Sequence, residues 1–155
     1  MERISFNQLP EGLYQSVYAL ETYLSKSLVD HTLLELLRYR ISQINNCLYC
    51  LDMHFKEAKA DGETDLRLYS ISAWREASYY TDKERAALHL AERLTLVSQY
   101  AITDEDFAEL SRFFSRDEIA DLTVAIAQIN TWNRLTAVFR FEAGKYEVAR
   151  KQVEQ

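Results

Sequence analysis

Proline and glycine are scarce in this chain, with one Pro and three Gly in 155 residues. Average usage of about 7% Gly and 5% Pro would give roughly ten and eight. The deficit excludes collagen-like, linker-rich and multi-turn all-β chains. No stretch approaches the roughly 18 to 20 uninterrupted apolar residues of a membrane-spanning helix. The opening MERISFNQLPEGLY also lacks the basic-then-apolar order of a signal peptide, so a cytoplasmic protein with no membrane partner is expected. Basic residues are the minority: 18 Lys and Arg against 24 Asp and Glu leave a net charge of -6 and a pI near 5.1. That is the wrong sign for neutralising a phosphate backbone, which argues against nucleic acid as a partner. Cysteine is rare too. Two residues three positions apart cannot make a framework of structural disulfides, and they raise the question of redox or metal chemistry instead.

What is present is apolar material in helical order. Hydrophobic residues make up 48% of the chain, enough for one core, and the length suits a single domain over residues 1–155. Helix-period apolar positions and polar start signals predict an all-α fold of about seven helices with short connections. The first is expected over about 11–28, with Leu13, Val17, Leu20, Tyr23 and Leu24 on one face. A second opens near Thr32, where Thr32-Leu33-Leu34-Glu35 has the form of a capping box, and is interrupted or bent at Asn45-Asn46. A third runs to about Ala60 and stops at Asp61-Gly62. Thr64 to about Arg75 is shorter. Thr81-Asp82-Lys83-Glu84 opens another segment that continues to Val97, and helices over 103–113 and from Ser115 to about Arg140 complete the set. The charged tail from Phe141 to Gln155 could be helical or frayed.

One internal echo bears on architecture. Ile41-Ser42-Gln43-Ile44-Asn45 matches Ile126-Ala127-Gln128-Ile129-Asn130 at a constant offset (126 less 41), which suggests a duplicated helical unit. The first copy continues as Asn46-Cys47-Leu48-Tyr49-Cys50 and the second as Thr131-Trp132-Asn133-Arg134-Leu135. Only the first carries thiols.

The stretch Cys47-Leu48-Tyr49-Cys50-Leu51-Asp52-Met53-His54 is the most informative one. Helical positions three and four apart lie over one another, so Cys47, Cys50 and His54 share a face. Cysteines at this spacing at a helix start can close a disulfide with little backbone change. The thiolate is the reactive form, and a helix N-terminus and a nearby imidazole both favour it; Asn45 or Asn46 as N-cap would put both cysteines in the first turn. Two other readings compete. The two thiols and the imidazole could be three ligands of a zinc site, although His31 and His89 stand in unrelated contexts and offer no evident fourth. The cysteines could also be plain buried apolar residues. A c-type haem attachment fails because Leu51, not His, follows Cys50.

Glu35, Asn45-Asn46-Cys47-Leu48-Tyr49-Cys50 and His54 together resemble the signature of the alkylhydroperoxidase D-like branch of the carboxymuconolactone decarboxylase family, a likeness covering about residues 33–140. The resemblance implies a helical fold and a catalytic dithiol. Cys50 would be oxidised by peroxide to a sulfenic acid, Cys47 would resolve it as a disulfide, and His54 with Glu35 would relay the proton. Well-known members carry a second His between the cysteines, where this chain has Tyr49. Glu35 also fits a plain helix cap, while burial among leucines would raise its pKa and suit it to hold or pass a proton. Arg38 and Arg40 could attract an anionic substrate or simply line a solvated face. Tyr79, Tyr80, Trp74, Trp132 and Phe139 are expected in the core or in subunit contacts, with no role in the site.

The expectation is therefore a thiol-dependent peroxidase, with no cofactor and no bound metal, acting on an organic hydroperoxide or a disulfide. It would be re-reduced by a lipoyl, thioredoxin-like or small thiol partner, and would assemble as a homotrimer or hexamer. A thiol-disulfide oxidoreductase with little peroxidase activity and a non-catalytic helical module with a structural metal are the alternatives. A decarboxylase has no obvious use for a vicinal redox pair.

Overall fold

The computed structural model describes residues 2–149. Seven α-helices and no β-strand are found among them: α1 (Leu13–Leu24), α2 (His31–Ile44), α3 (Leu48–Ala60), α4 (Asp65–Ser70), α5 (Asp82–Thr95), α6 (Asp104–Leu110) and α7 (Arg116–Phe139). Short 3-10 turns lie at Phe6–Gln8 and Ile71–Ala73. Reciprocal capping boxes start three of the helices, formed by Thr81 with Glu84, Thr103 with Asp106, and Ser115 with Glu118. Each closes two backbone donors that would otherwise lack partners at a helix start.

Helix α2 is the axis of the molecule, packing against α3, α5 and α7. Leu33, Leu34, Leu36, Leu37 and Ile41 are all buried, and Glu35, Arg38 and Ser42 are buried with them. A helix covered on every side has no solvent face on which to leave a charge, so each of its polar side chains needs an internal partner. On α7 the buried residues Ile119, Leu122, Ile126, Ile129, Asn133 and Thr136 alternate three- and four-residue steps, a single stripe along about 26 Å of helix. The repeated pentapeptides meet here. Asn45 Nδ2 donates to Asn130 Oδ1 at 2.9 Å and to Asn133 Oδ1 at 2.8 Å, and Asn133 Nδ2 donates to Ser42 Oγ at 3.3 Å. These bonds tie the end of α2 to the middle of α7, one residue before the cysteine corner.

The structure alters several expectations. Asp30, not Thr32, caps α2, accepting from Thr32 N at 2.8 Å, so Glu35 has no capping duty. Cys47 itself is the N-cap of α3, because Asn46 takes a left-handed backbone conformation (φ 52°) that turns the chain between the helices. Leu20 and Tyr23 of α1 are exposed rather than in the core. Residues 141–149 are not helical. They cross α3 as an extended strap, held by Gly144 N donating to Asp52 Oδ2 at 2.9 Å, Lys56 Nζ donating to Tyr146 O at 2.8 Å, and Tyr146 Oη donating to Glu57. Residues 150–155, the rest of the expected tail, lie outside the described part.

Candidate redox site

A chamber of about 450 Å³ opens beside the first turns of α3. Helix α2 supplies Glu35, Arg38 and His31 to its wall, and α3 supplies Cys50, Met53, His54 and Glu57. Tyr14, Tyr18 and Glu21 come from α1, Trp132 and Thr136 from α7, and Phe141 and Tyr146 from the strap. Aromatic rings thus surround a small set of charged groups.

Those charged groups form a continuous chain. Trp132 Nε1 donates to Glu21 Oε1 at 2.9 Å; Arg38 donates through Nη2 to Glu21 Oε2 at 2.9 Å and through Nη1 to Glu35 Oε1 at 2.6 Å; and His54 Nδ1 lies 2.7 Å from Glu35 Oε2. Glu35 is only 3% exposed. Burial alone pushes its carboxyl pKa up, but His54 and Arg38, one on each oxygen, outweigh this and hold it down at about 2. The carboxylate is therefore ionised at neutral pH and can only accept, so the His54 Nδ1 carries a proton and donates it to Glu35. Among the described residues no buried side-chain nitrogen or oxygen lacks a partner, and none of these residues bonds His54 Nε2. That nitrogen is left open to the chamber. Glu35 is thus a fixed anion that orients the imidazole, its pKa lowered by its partners rather than raised by its burial.

Cys47 and Cys50 form a disulfide, with Cα atoms 5.4 Å apart. Cys47 Sγ also accepts from Cys50 N at 3.3 Å, and Cys50 Sγ lies 3.9 Å from Thr136 Oγ1. Cys50, His54 and Glu35 share the chamber wall, whereas Cys47 lies on the other side of the disulfide.

Three residues set aside in the sequence belong to this site. His31 is not in an unrelated context: its Nε2 stands 4.0 Å from Glu35 Oε1 and its Nδ1 2.6 Å from Asp61 Oδ2, at the rim of the chamber. Arg38 is buried and doubly paired, so a solvated face does not describe it. Trp132 lines the chamber and bonds Glu21. The spacing of His31 and Glu35, one helical turn, was the available signal for the first. Nothing local signals the Trp132–Glu21 bond, which spans 111 positions. Arg40 pairs with Glu92 on the opposite side of α2, and His89 pairs with Asp106, both away from the sulfurs.

The family model of the carboxymuconolactone decarboxylase family matches residues 11–93, more than half of the chain. The crystal structure of an Agrobacterium tumefaciens protein of unknown function, likened to the antioxidant defence protein AhpD, superposes with a TM-score of 0.89 at 36% identity over 94% of this chain and all of the other. The chain is an AhpD-like member of the carboxymuconolactone decarboxylase family. Within that family it is also 36% identical over 136 residues to the uncharacterised protein YdfG of Bacillus subtilis, covering 87% of this chain and 92% of YdfG. The debrominase Bmp8 shares the fold, with a TM-score of 0.71 at 20% identity over 86% of this chain and 72% of its own. Family membership and a paired Cys47–Cys50 fit an enzyme with a redox role.

Proposed function

We propose that the protein is a thiol-dependent peroxidase that cycles Cys47 and Cys50 between dithiol and disulfide. The observation that carries this reading is the placement of Cys50 in one chamber with an imidazole whose Nδ1 is committed to an ionised Glu35 and whose Nε2 is open. In the reduced protein His54 Nε2 takes the Cys50 proton. The thiolate attacks the distal oxygen of a hydroperoxide, the O–O bond breaks, and the imidazolium returns the proton to the departing alkoxide. The products are an alcohol and a Cys50 sulfenic acid. The Cys47 thiol condenses with that acid, water leaves, and the disulfide forms. Glu35 stabilises the imidazolium throughout, and His31 at the rim connects that carboxylate to solvent. Tyr14, Tyr18, Trp132 and Phe141 give the chamber apolar walls suited to an organic hydroperoxide.

An external thiol restores the dithiol. In this reading the protein works in the cytoplasm as a homotrimer or hexamer, with Tyr18, Leu20 and Tyr23 of α1, all more than 40% exposed, as apolar surface for a subunit contact. Sedimentation of the purified protein measures the assembly.

The test treats reduced protein with cumene hydroperoxide and follows intact mass beside a Cys50→Ser variant. The wild type is expected to lose two hydrogens, and the variant to lose peroxide consumption by about a hundredfold or more. Unchanged turnover without Cys50 would contradict the assignment. A dithiol of this kind can also reduce disulfides, so steady-state rates on a hydroperoxide and on a disulfide substrate rank the two activities. Stoichiometric zinc protecting both thiols would favour a structural metal module instead.

A further inference from the structure

The disulfide separates two cavities. Opposite the chamber just described lies a second, wider one of about 740 Å³, walled by Cys47, Leu48, Ala137, Arg140 and Glu142 among others. Cys50 does not reach this cavity, and Cys47 does not reach the first. Tyr49, Thr136 and Phe141 contribute to both, so the partition is one layer thick, closed by the edge-on packing of Tyr49 on Phe141 with ring centroids 5.6 Å apart. The two sides differ in chemistry. The Cys50 side holds His54, Glu35 and Arg38, the groups that handle a proton and a leaving alkoxide. The Cys47 side has no imidazole; it offers the apolar surfaces of Leu48, Tyr49 and Phe141.

We infer that a dithiol reductant reaches the redox pair through the Cys47-side cavity, so that oxidant and reductant approach from opposite faces. This inference rests on the peroxidase reading for its oxidative half. A thiolate of the reductant attacks Cys47 Sγ, a mixed disulfide forms, and the Cys47–Cys50 bond breaks with its electron pair leaving on Cys50. The reductant's second thiol then attacks its own sulfur in the mixed disulfide and displaces Cys47 as a thiolate, which takes up the proton released by that thiol. In sum, two electrons and one proton pass from the dithiol to the protein, the proton of the first reductant thiol having gone to solvent when that thiol ionised; Cys47 ends as a thiol, Cys50 as a thiolate, and the reductant leaves as a cyclic disulfide. Attack at Cys47 expels Cys50 directly as the thiolate the next oxidant needs, on the face where His54 stands. Cys47 is only 5% exposed, and this cavity is the side from which its sulfur is approached.

The experiment measures the two half-reactions separately by stopped flow in three variants. Ala137→Trp fills the Cys47 side from an exposed position of α7, and Leu48→Trp does so from an exposed position of α3; Met53→Trp fills the Cys50 side. Oxidation is started with cumene hydroperoxide on reduced protein. Reduction is started with dihydrolipoamide on protein oxidised beforehand with diamide. Because exchange rates depend on access to the attacked sulfur, Ala137→Trp and Leu48→Trp are expected to slow reduction by about tenfold or more and to change oxidation by less than about twofold. Met53→Trp is expected to show the reverse pattern. Reduction left within about twofold by both Cys47-side variants, or slowed by Met53→Trp as much as oxidation is, overturns the inference. A wild type that cumene hydroperoxide does not oxidise counts against the peroxidase reading alone, because the diamide-started arm still decides which face the reductant uses.

Discussion

The same five-residue pattern is used twice in this molecule with opposite outcomes. At the end of α2, Ile41 to Asn45 leads into a break: Asn46 turns left-handed, Cys47 caps the next helix, and two sulfurs come to stand at a corner. In α7, Ile126 to Asn130 runs on unbroken for another nine residues to Phe139. Carrying the offset along both copies places Ala120 against Glu35, Trp132 against Cys47, Leu135 against Cys50 and Phe139 against His54. Each of these four groups on the broken side, able to ionise or change oxidation state, is answered by one that cannot. The continuous copy supplies a rigid wall, and its Asn130 and Asn133 hold the corner of the other through Asn45.

Substitutions at three positions break or sharpen this contrast. Glu35→Gln makes the active copy neutral, like its counterpart, and is expected to have the largest effect. It removes the buried anion between His54 and Arg38, costing about 3 kcal/mol in urea unfolding, and slows oxidation of Cys50 by about a hundredfold. The pH dependence gives the same test its sign. Glu35 falls from an ordinary 4.5 to about 2 on folding, so its stabilisation is complete above pH 4.5 and is lost as pH drops through that interval toward 2. The unfolding midpoint of the wild type should fall over that window, and that of Glu35→Gln should fall less.

Asn45→Ala cuts the link between the copies. It leaves the Asn133 carbonyl oxygen without its donor and weakens the bonding of Asn130, for a loss of about 1–3 kcal/mol in thermal or urea unfolding. The smallest change concerns the break itself. Asn46→Val forces a β-branched residue into the left-handed region and should cost roughly 1–2 kcal/mol, whereas Asn46→Gly should leave stability within about 0.5 kcal/mol of the wild type. If the valine variant is as stable as the glycine one, the left-handed turn does not set the corner.

Much of this was legible in the chain itself because it is local. Capping boxes at Thr81 and Ser115 mark helix starts by bonds three residues long, and the register of Cys50 with His54 follows from one helical turn, whereas Cys47, as the N-cap, faces the other side. The misses share a different origin. Periodicity shows that Leu20 and Tyr23 lie on an apolar face of α1 but not what covers that face. The ionisation of Glu35 depends on Arg38 and His54 acting together, and only the packed structure shows both on one carboxylate. Trp132 reaches Glu21 only because α1 and α7 pack together, a fact no window of sequence contains.

The strap after α7 has a practical consequence. Phe141 and Tyr146 roof the chamber beside Cys50, yet they belong to a segment fastened to α3 by a few bonds from Asp52, Lys56 and Glu57. The size of molecule admitted to the sulfur is therefore decided partly outside the helical bundle. Variation in those few residues can reshape the chamber beside Cys50 while the buried charges of Glu35, Arg38 and His54 stay untouched.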